Sequence, residues 1–159
     1  MRRLASVAVT AIALCVVGWG QTSMSPSMQN APAQKPAVSE YVGAWIGTFQ
    51  GHPWLTIRLM QRGDQLTGMM QRARDVEFDE QGEVKSVSDE KWVGSIESAK
   101  LSSDGLLLTV KDPATHKTGR YLMRLTNDTT AEVNMVPGAP NSKPWKLTKV
   151  PANAITPVR

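Results

Sequence analysis

Hydrophobic and polar positions divide this 159-residue chain into one continuous apolar block, a polar stretch without period, and a long region of short alternating runs. The alternating region begins at Tyr41. Tyr41 to Gln50 (YVGAWIGTFQ) reads as a strand, and in Trp54 to Gln61 (WLTIRLMQ) Leu55, Ile57 and Leu59 alternate with Thr56 and Arg58. A period of two buries one face of a strand. Arg62-Gly63-Asp64-Gln65 supplies a turn, and Gln65 to Arg72 returns. Asp75 to Phe78 and Glu83 to Val87 predict a weaker hairpin around Asp79-Glu80-Gln81-Gly82. Lys91 to Leu101 and Leu106 to Lys111 flank Ser102-Ser103-Asp104-Gly105, a strong hairpin signal. Arg120 to Thr126 and Ala131 to Val136 flank Asn127-Asp128, and Trp145 to Val150 is the last run. Ser88 to Leu101 also carries Trp92, Ile96 and Ala99 at helical spacing behind a Ser88 N-cap, but Gly94 and the Ser-Asp-Gly turn favour a strand. The expected fold is all-β: one antiparallel up-and-down meander of about eight strands over residues 40–150, closed into a barrel or packed as a sandwich.

The apolar block lies at the start. Met1-Arg2-Arg3 is basic, Leu4 to Val17 is apolar, and Gly18-Trp19-Gly20 puts small residues before Gln21. These are the three parts of a secretory signal, expected over residues 1–20. The apolar run is short of the roughly 20 residues of a membrane span, so no stable span is expected once the signal is cleaved. An uncleaved anchor is the alternative. Residues 21–39, with Pro26, Pro32, Pro36 and one charge at Lys35, lack apolar periodicity and are expected to be a disordered tether; residues 151–159 form a tail. The expected location is therefore secreted or periplasmic.

Composition then excludes whole classes of chemistry. Cys15, the one cysteine, lies inside the expected signal with Leu14 before it, which does not suit a lipidation site. A processed chain has no disulfide, thiolate or cysteine-bound metal. Of 18 Lys+Arg and 14 Asp+Glu, Arg2 and Arg3 belong to the signal, leaving 16 against 14. Those charges are interspersed in sign, so no nucleic-acid partner is expected. His52 and His116 sit in separate predicted turns with no metal-ligand neighbours at hairpin or helical spacing, and Ser88-Asp89-Glu90-Lys91 lacks the motifs that give Ser-x-x-Lys meaning. Asp75, Glu77, Asp79, Glu80 and Glu83 are a candidate calcium cluster, but Glu80 stands where an EF-hand loop needs glycine. The simpler reading is the wet face of a strand entering a turn. Arg62-Gly63-Asp64 reads as a turn pair, and Asn127-Asp128-Thr129 is a formal glycosylation acceptor. No metal and no cofactor is implied.

Gly43-Ala44-Trp45 at the first strand resembles the start of lipocalin-like, or calycin, barrels, a group that includes the avidins, and Leu66-Thr67-Gly68 is similar to the avidin layout. Lys111-Asp112-Pro113 before Tyr121, and Pro144-Trp145-Lys146-Leu147-Thr148-Lys149 at the end, look like small secreted lipocalin-like bacterial domains of unknown function. The resemblance spans Val42 to Val150. It implies a meander barrel whose first tryptophan plugs one end, with a basic residue of the last strand, Lys146 or Lys149, packed over it. The avidin biotin site does not carry over. By alternation, Leu55/Ile57/Leu59, Tyr121/Met123/Leu125, Val133/Met135 and Trp145/Leu147 share an interior. An eight-stranded barrel of this size packs solid or holds one small ligand. The candidate lining for a small apolar ligand is Trp45, Ile57, Met69, Trp92, Tyr121, Met123, Met135 and Trp145. Three functions remain: a non-enzymatic exported domain binding an apolar ligand inside the barrel; a solid-core structural or interaction domain that binds another envelope protein; and a hydrolase at the barrel mouth with His52 or His116 as base.

Overall fold

A computed structural model describes residues 36–138 and 142–151. Residues 1–20 of the expected signal, residues 21–35 of the expected tether and residues 152–159 of the expected tail lie outside the described residues. Ten strands follow in chain order: β1 (Gly43–Phe49), β2 (His52–Arg62), β3 (Gln65–Ala73), β4 (Val76–Phe78), β5 (Val84–Val87), β6 (Lys91–Ser102), β7 (Gly105–Lys111), β8 (Thr118–Asn127), β9 (Thr130–Met135) and β10 (Trp145–Val150). Eight of them close an antiparallel barrel in the order β1-β10-β9-β8-β7-β6-β3-β2. This is the all-β meander barrel that the alternation predicts. Ser88–Leu101 contributes β6 rather than a helix. β10 closes the ring against β1, with Trp45 opposite Lys149. β4 and β5 pair only with each other, so the meander passes from β3 to β6 with a separate hairpin between them.

The inward faces follow the two-residue period. Leu55, Ile57 and Leu59 of β2, Leu66 and Met70 of β3, Leu106, Leu108 and Val110 of β7, Tyr121 and Met123 of β8, Ala131 and Val133 of β9 and Leu147 of β10 are all 0–3% exposed. They form one contiguous core with Trp45 and Ile96. The barrel interior is filled by these side chains. Burying each large apolar group stabilises the fold by about 1.5–3 kcal/mol. Gly68 marks where β2 and β3 approach most closely, since a Cβ there would overlap the Arg58 carbonyl oxygen. No other residue fits without moving the backbone.

One end of the barrel is plugged. A 3-10 turn over Val38–Tyr41 brings the chain across it, with Val38 packed on the core, so this turn takes in Val38 and Ser39 of the stretch expected to be tether. Tyr41 and Trp45 are fully buried there. Burial pushes the Tyr41 phenol above its usual pKa, the Leu125 backbone opposing and Glu40 adding to the rise. The Trp45 indole Nε1 donates to the Tyr41 carbonyl at 2.9 Å. Lys149 Nζ lies 5.1 Å from the Trp45 ring centroid and donates to the Glu40 carbonyl at 2.9 Å. The structure thus places Lys149, not Lys146, over the first tryptophan. Lys146 has the opposite parity on β10 and is exposed.

Candidate binding site at the barrel mouth

The opposite end gathers the C-terminal ends of β1, β3, β7 and β9 and the N-terminal ends of β2, β6, β8 and β10. Its aromatic content follows from strand parity and one irregularity. Trp145 faces inward two residues before Leu147. Trp54 is the extra residue of a bulge: Gly47 pairs with Leu55, but Thr48 pairs with Pro53. A bulge re-aims a side chain by breaking the alternation. Trp54, which strict alternation from Leu55 puts outside, is instead 4% exposed and meets Trp145 edge-on, with ring centroids 5.3 Å apart. Tyr121 lies 6.2 Å from Trp145.

The β4–β5 hairpin covers this end. Val76, Val84 and Val87 pack against the core, and Phe78 stacks on Trp145 at 6.4 Å with an interplanar angle of 2°. At its base the Arg74 amide donates to the Glu90 carbonyl at 2.8 Å, the Ser88 amide to the Asp75 carbonyl at 3.0 Å, and Arg74 pairs with Glu90 at 3.3 Å. Lys143 Nζ reaches Glu83 of the hairpin at 2.9 Å, tying the flap to the segment that enters β10. Trp145 lines two crevices. One, about 500 Å³, is walled by Phe49, Trp54 and Trp145 with Glu83, Lys143 and Lys146. The other, about 320 Å³, is walled by Arg72, Val76, Phe78, Met135 and Trp145, with Arg74, Asp75 and Glu77 also on it.

Arg72 and Trp92 face each other across the β3–β6 pair, and the Arg72 guanidinium carbon lies 5.1 Å from the Trp92 ring centroid. Gly94 makes room for this arrangement, because a Cβ there would overlap the Trp92 ring. The far side of that indole is held by Asp112. Hydrogen bonds from the Trp92 side chain first, then from the Thr115 hydroxyl and the Ala114 amide, hold the Asp112 carboxyl well below its usual pKa, at about 2.

The candidate lining residues separate into three groups. Tyr121, Met135 and Trp145 lie together at the mouth, and Trp92 lies against Arg72 on the β3–β6 pair. Trp45, Ile57 and Met123 are packed in the plug or the solid interior, so they line no void there. Met69 faces outward and is 43% exposed; its neighbour Met70 takes the inward position, because Leu66, Gly68 and Met70 share one face of β3. Met135 has the inward parity of Val133 but ends β9 at the rim, where it is 46% exposed. The interior expectation for Met69 and Met135 is corrected accordingly. Arg72, Trp54, Phe49 and Phe78 belong to the mouth and were not singled out as lining residues from the sequence. A furrow of about 620 Å³ also runs on the outer wall between Arg58, Met60, Thr67 and Met69, above the small Ala44.

His52, the first residue of β2, and His116, in the loop between β7 and β8, are exposed, and neither imidazole has a hydrogen-bond partner or ion pair among the described residues. A general base needs such reach to its nucleophile. The acidic cluster is engaged in the flap: Asp79 Oδ1 accepts from the Gln81 and Glu83 amides at 2.9 and 2.8 Å, Glu77 accepts from the Ser86 hydroxyl at 2.9 Å, and Glu83 pairs with Lys143. No group of three His, Cys, Asp or Glu side chains among the described residues is placed to hold a metal ion. Comparison of the chain with protein-family models, with curated proteins and with solved structures finds no match in any of the three.

Proposed function

We propose that this protein is an exported, non-enzymatic binding domain that takes a small, largely apolar molecule at the flap-covered mouth of its barrel. The observation that carries this reading is the contrast inside one barrel: the interior is filled by side chains, whereas the mouth keeps two crevices that share Trp145 as a wall. Small-molecule sites combine aromatic side chains with polar groups that fix orientation; Phe49, Trp54 and Trp145 stand beside Lys143 and Lys146 in one crevice, and Phe78 and Trp145 beside Arg72 in the other. The ligand position differs from the sequence-based expectation of the barrel interior. It lies one layer higher, between flap and rim. The basic residue over the first tryptophan adds support for a lipocalin-like lineage, and the sequence of residues 1–20 supports export.

The test is native mass spectrometry of the protein purified without detergent and run again after organic extraction. The reading expects a bound mass of a few hundred daltons that extraction removes and that Trp145→Ala fails to retain. A protein that stays free of ligand when apolar compounds are added would sink it. The second reading, a solid-core domain that docks an envelope protein, is favoured by Met60, Met69 and Val93, which stand exposed on the outer faces of β2, β3 and β6. Under that reading Met60→Lys and Met69→Lys abolish the association while Trp145→Ala leaves it intact.

A further inference from the structure

Among the crevices at the mouth, the smaller one has a charged inner end. Arg72 continues the inward face of β3 after Leu66, Gly68 and Met70, opposite the fully buried Leu55 on one side and Trp92 on the other. Its guanidinium is fixed rather than free. Nη1 donates to the Ala73 and Arg74 carbonyls at 2.8 and 2.9 Å, and the plane packs on the Trp92 face. Nε, by contrast, is shielded from solvent and has no acceptor. A desolvated donor on a charged group is unfavourable unless an acceptor arrives.

No carboxylate of the protein supplies that acceptor among the described residues. The neighbouring acids are committed elsewhere or lie on the outer rim. Glu90 pairs with Arg74, Glu77 accepts from Ser86, Asp112 accepts from Trp92 and its own turn, and Asp75 is exposed at the hairpin base. Beyond Arg72 the same crevice has an apolar wall of Val76, Phe78, Met135 and Trp145, with Arg74 and Asp75 of the hairpin base and Glu77 of β4 also on it. A guanidinium held in place by backbone carbonyls, with no carboxylate of the protein against its charge among the described residues and an apolar wall beside it, matches a molecule with an anionic head and an apolar body.

Resting on the reading that the mouth binds a small molecule, we propose that this crevice selects carboxylate-bearing apolar molecules and that Arg72 is the group that binds the carboxylate. The experiment compares two probes of one shape, 1-naphthaleneacetate and 2-(1-naphthyl)ethanol, titrated calorimetrically into the full chain at neutral pH. The acid is expected to bind about tenfold more tightly than the alcohol, the scale of one charge-assisted hydrogen bond. In Arg72→Met, which keeps the apolar stem over Trp92, the acid is expected to lose that advantage while the alcohol binds as before. Arg72→Lys is expected to recover part of it, and Arg62→Met, on the far end of β2, none of the loss. A merely structural role for Arg72 would weaken both probes alike and overturn the proposal. Equal binding of acid and alcohol to the unaltered protein overturns the carboxylate selection and leaves the mouth site standing. Failure of both probes to bind at millimolar concentration overturns both.

Discussion

Each end of this barrel is built on a tryptophan, and the two are treated differently. Trp45 is fully buried, its indole N–H is satisfied by the Tyr41 carbonyl, and Lys149 lies over its face. Trp145 is partly exposed, holds three aromatic rings around it, and lines two crevices. The plug is made by the chain's own barrel strands and entry turn. The cover over Trp145 is a hairpin whose strands pair only with each other. An isolated two-stranded hairpin has little stability of its own. Its seat is therefore Phe78, three valines and the Lys143–Glu83 pair. The same side chain serves as packing where its indole N–H is satisfied and space is filled. It serves as a binding surface where a weakly held element leaves room.

The sharpest break of this comparison is Trp45→Ala against Trp145→Ala. Removing a fully buried aromatic costs about 3–5 kcal/mol, so urea unfolding of Trp45→Ala is expected to show a loss of that size. Trp145→Ala is expected to cost clearly less and to abolish binding at the mouth. Equal losses would mean that both ends are plugs. Next in size is the β3 pair of methionines. Met70→Ala is expected to cost about 2–5 kcal/mol as a core truncation. Met69→Ala, on the outer face, is expected to stay within about 0.5 kcal/mol. Lys149→Met, which removes the cation over Trp45, is expected to cost about 1 kcal/mol in the same assay.

The smallest effect concerns acid. The Asp112 carboxyl is held at about 2, below its ordinary 3.8, by the Trp92, Thr115 and Ala114 hydrogen bonds. Its folded pKa is depressed, so its contribution is present above 3.8 and is lost as pH falls towards 2. The stability difference between the unaltered protein and Asp112→Asn is expected to shrink across that window. A difference that stays constant from pH 5 to about 2 would contradict the assignment.

Alternation was enough to reveal the strands and an antiparallel meander, with barrel or sandwich left open. Every barrel hairpin follows a run with one apolar face and a turn rich in Gly, Asp or Asn. The site was less legible, for three reasons. A period of two names two faces but does not say which is inside. Met69 and Met70 differ by one position, and only the shared face of Leu66 and Gly68 decides between them. A bulge changes parity without a marker in composition, which hid Trp54. Inward-facing charge runs against the rule that core faces are apolar, which hid Arg72. Such departures from local rules concentrate at functional sites. The acidic stretch from Asp75 to Glu83 did read correctly as a strand entering a turn. What it did not disclose is that β4 and β5 leave the barrel and cover its mouth.

The most direct measurement uses the methionines as reporters, since Met70 and Met123 lie in the packed interior, Met135 at the rim of the mouth, and Met60 and Met69 on the outer wall. Methyl-labelled protein is titrated with 1-naphthaleneacetate and followed by NMR. Binding at the mouth predicts a saturable shift of the Met135 methyl with Met60, Met69, Met70 and Met123 unmoved. Shifts led by Met70 and Met123 would put the ligand inside the barrel, shifts led by Met60 and Met69 would put it on the outer wall, and either would contradict the account.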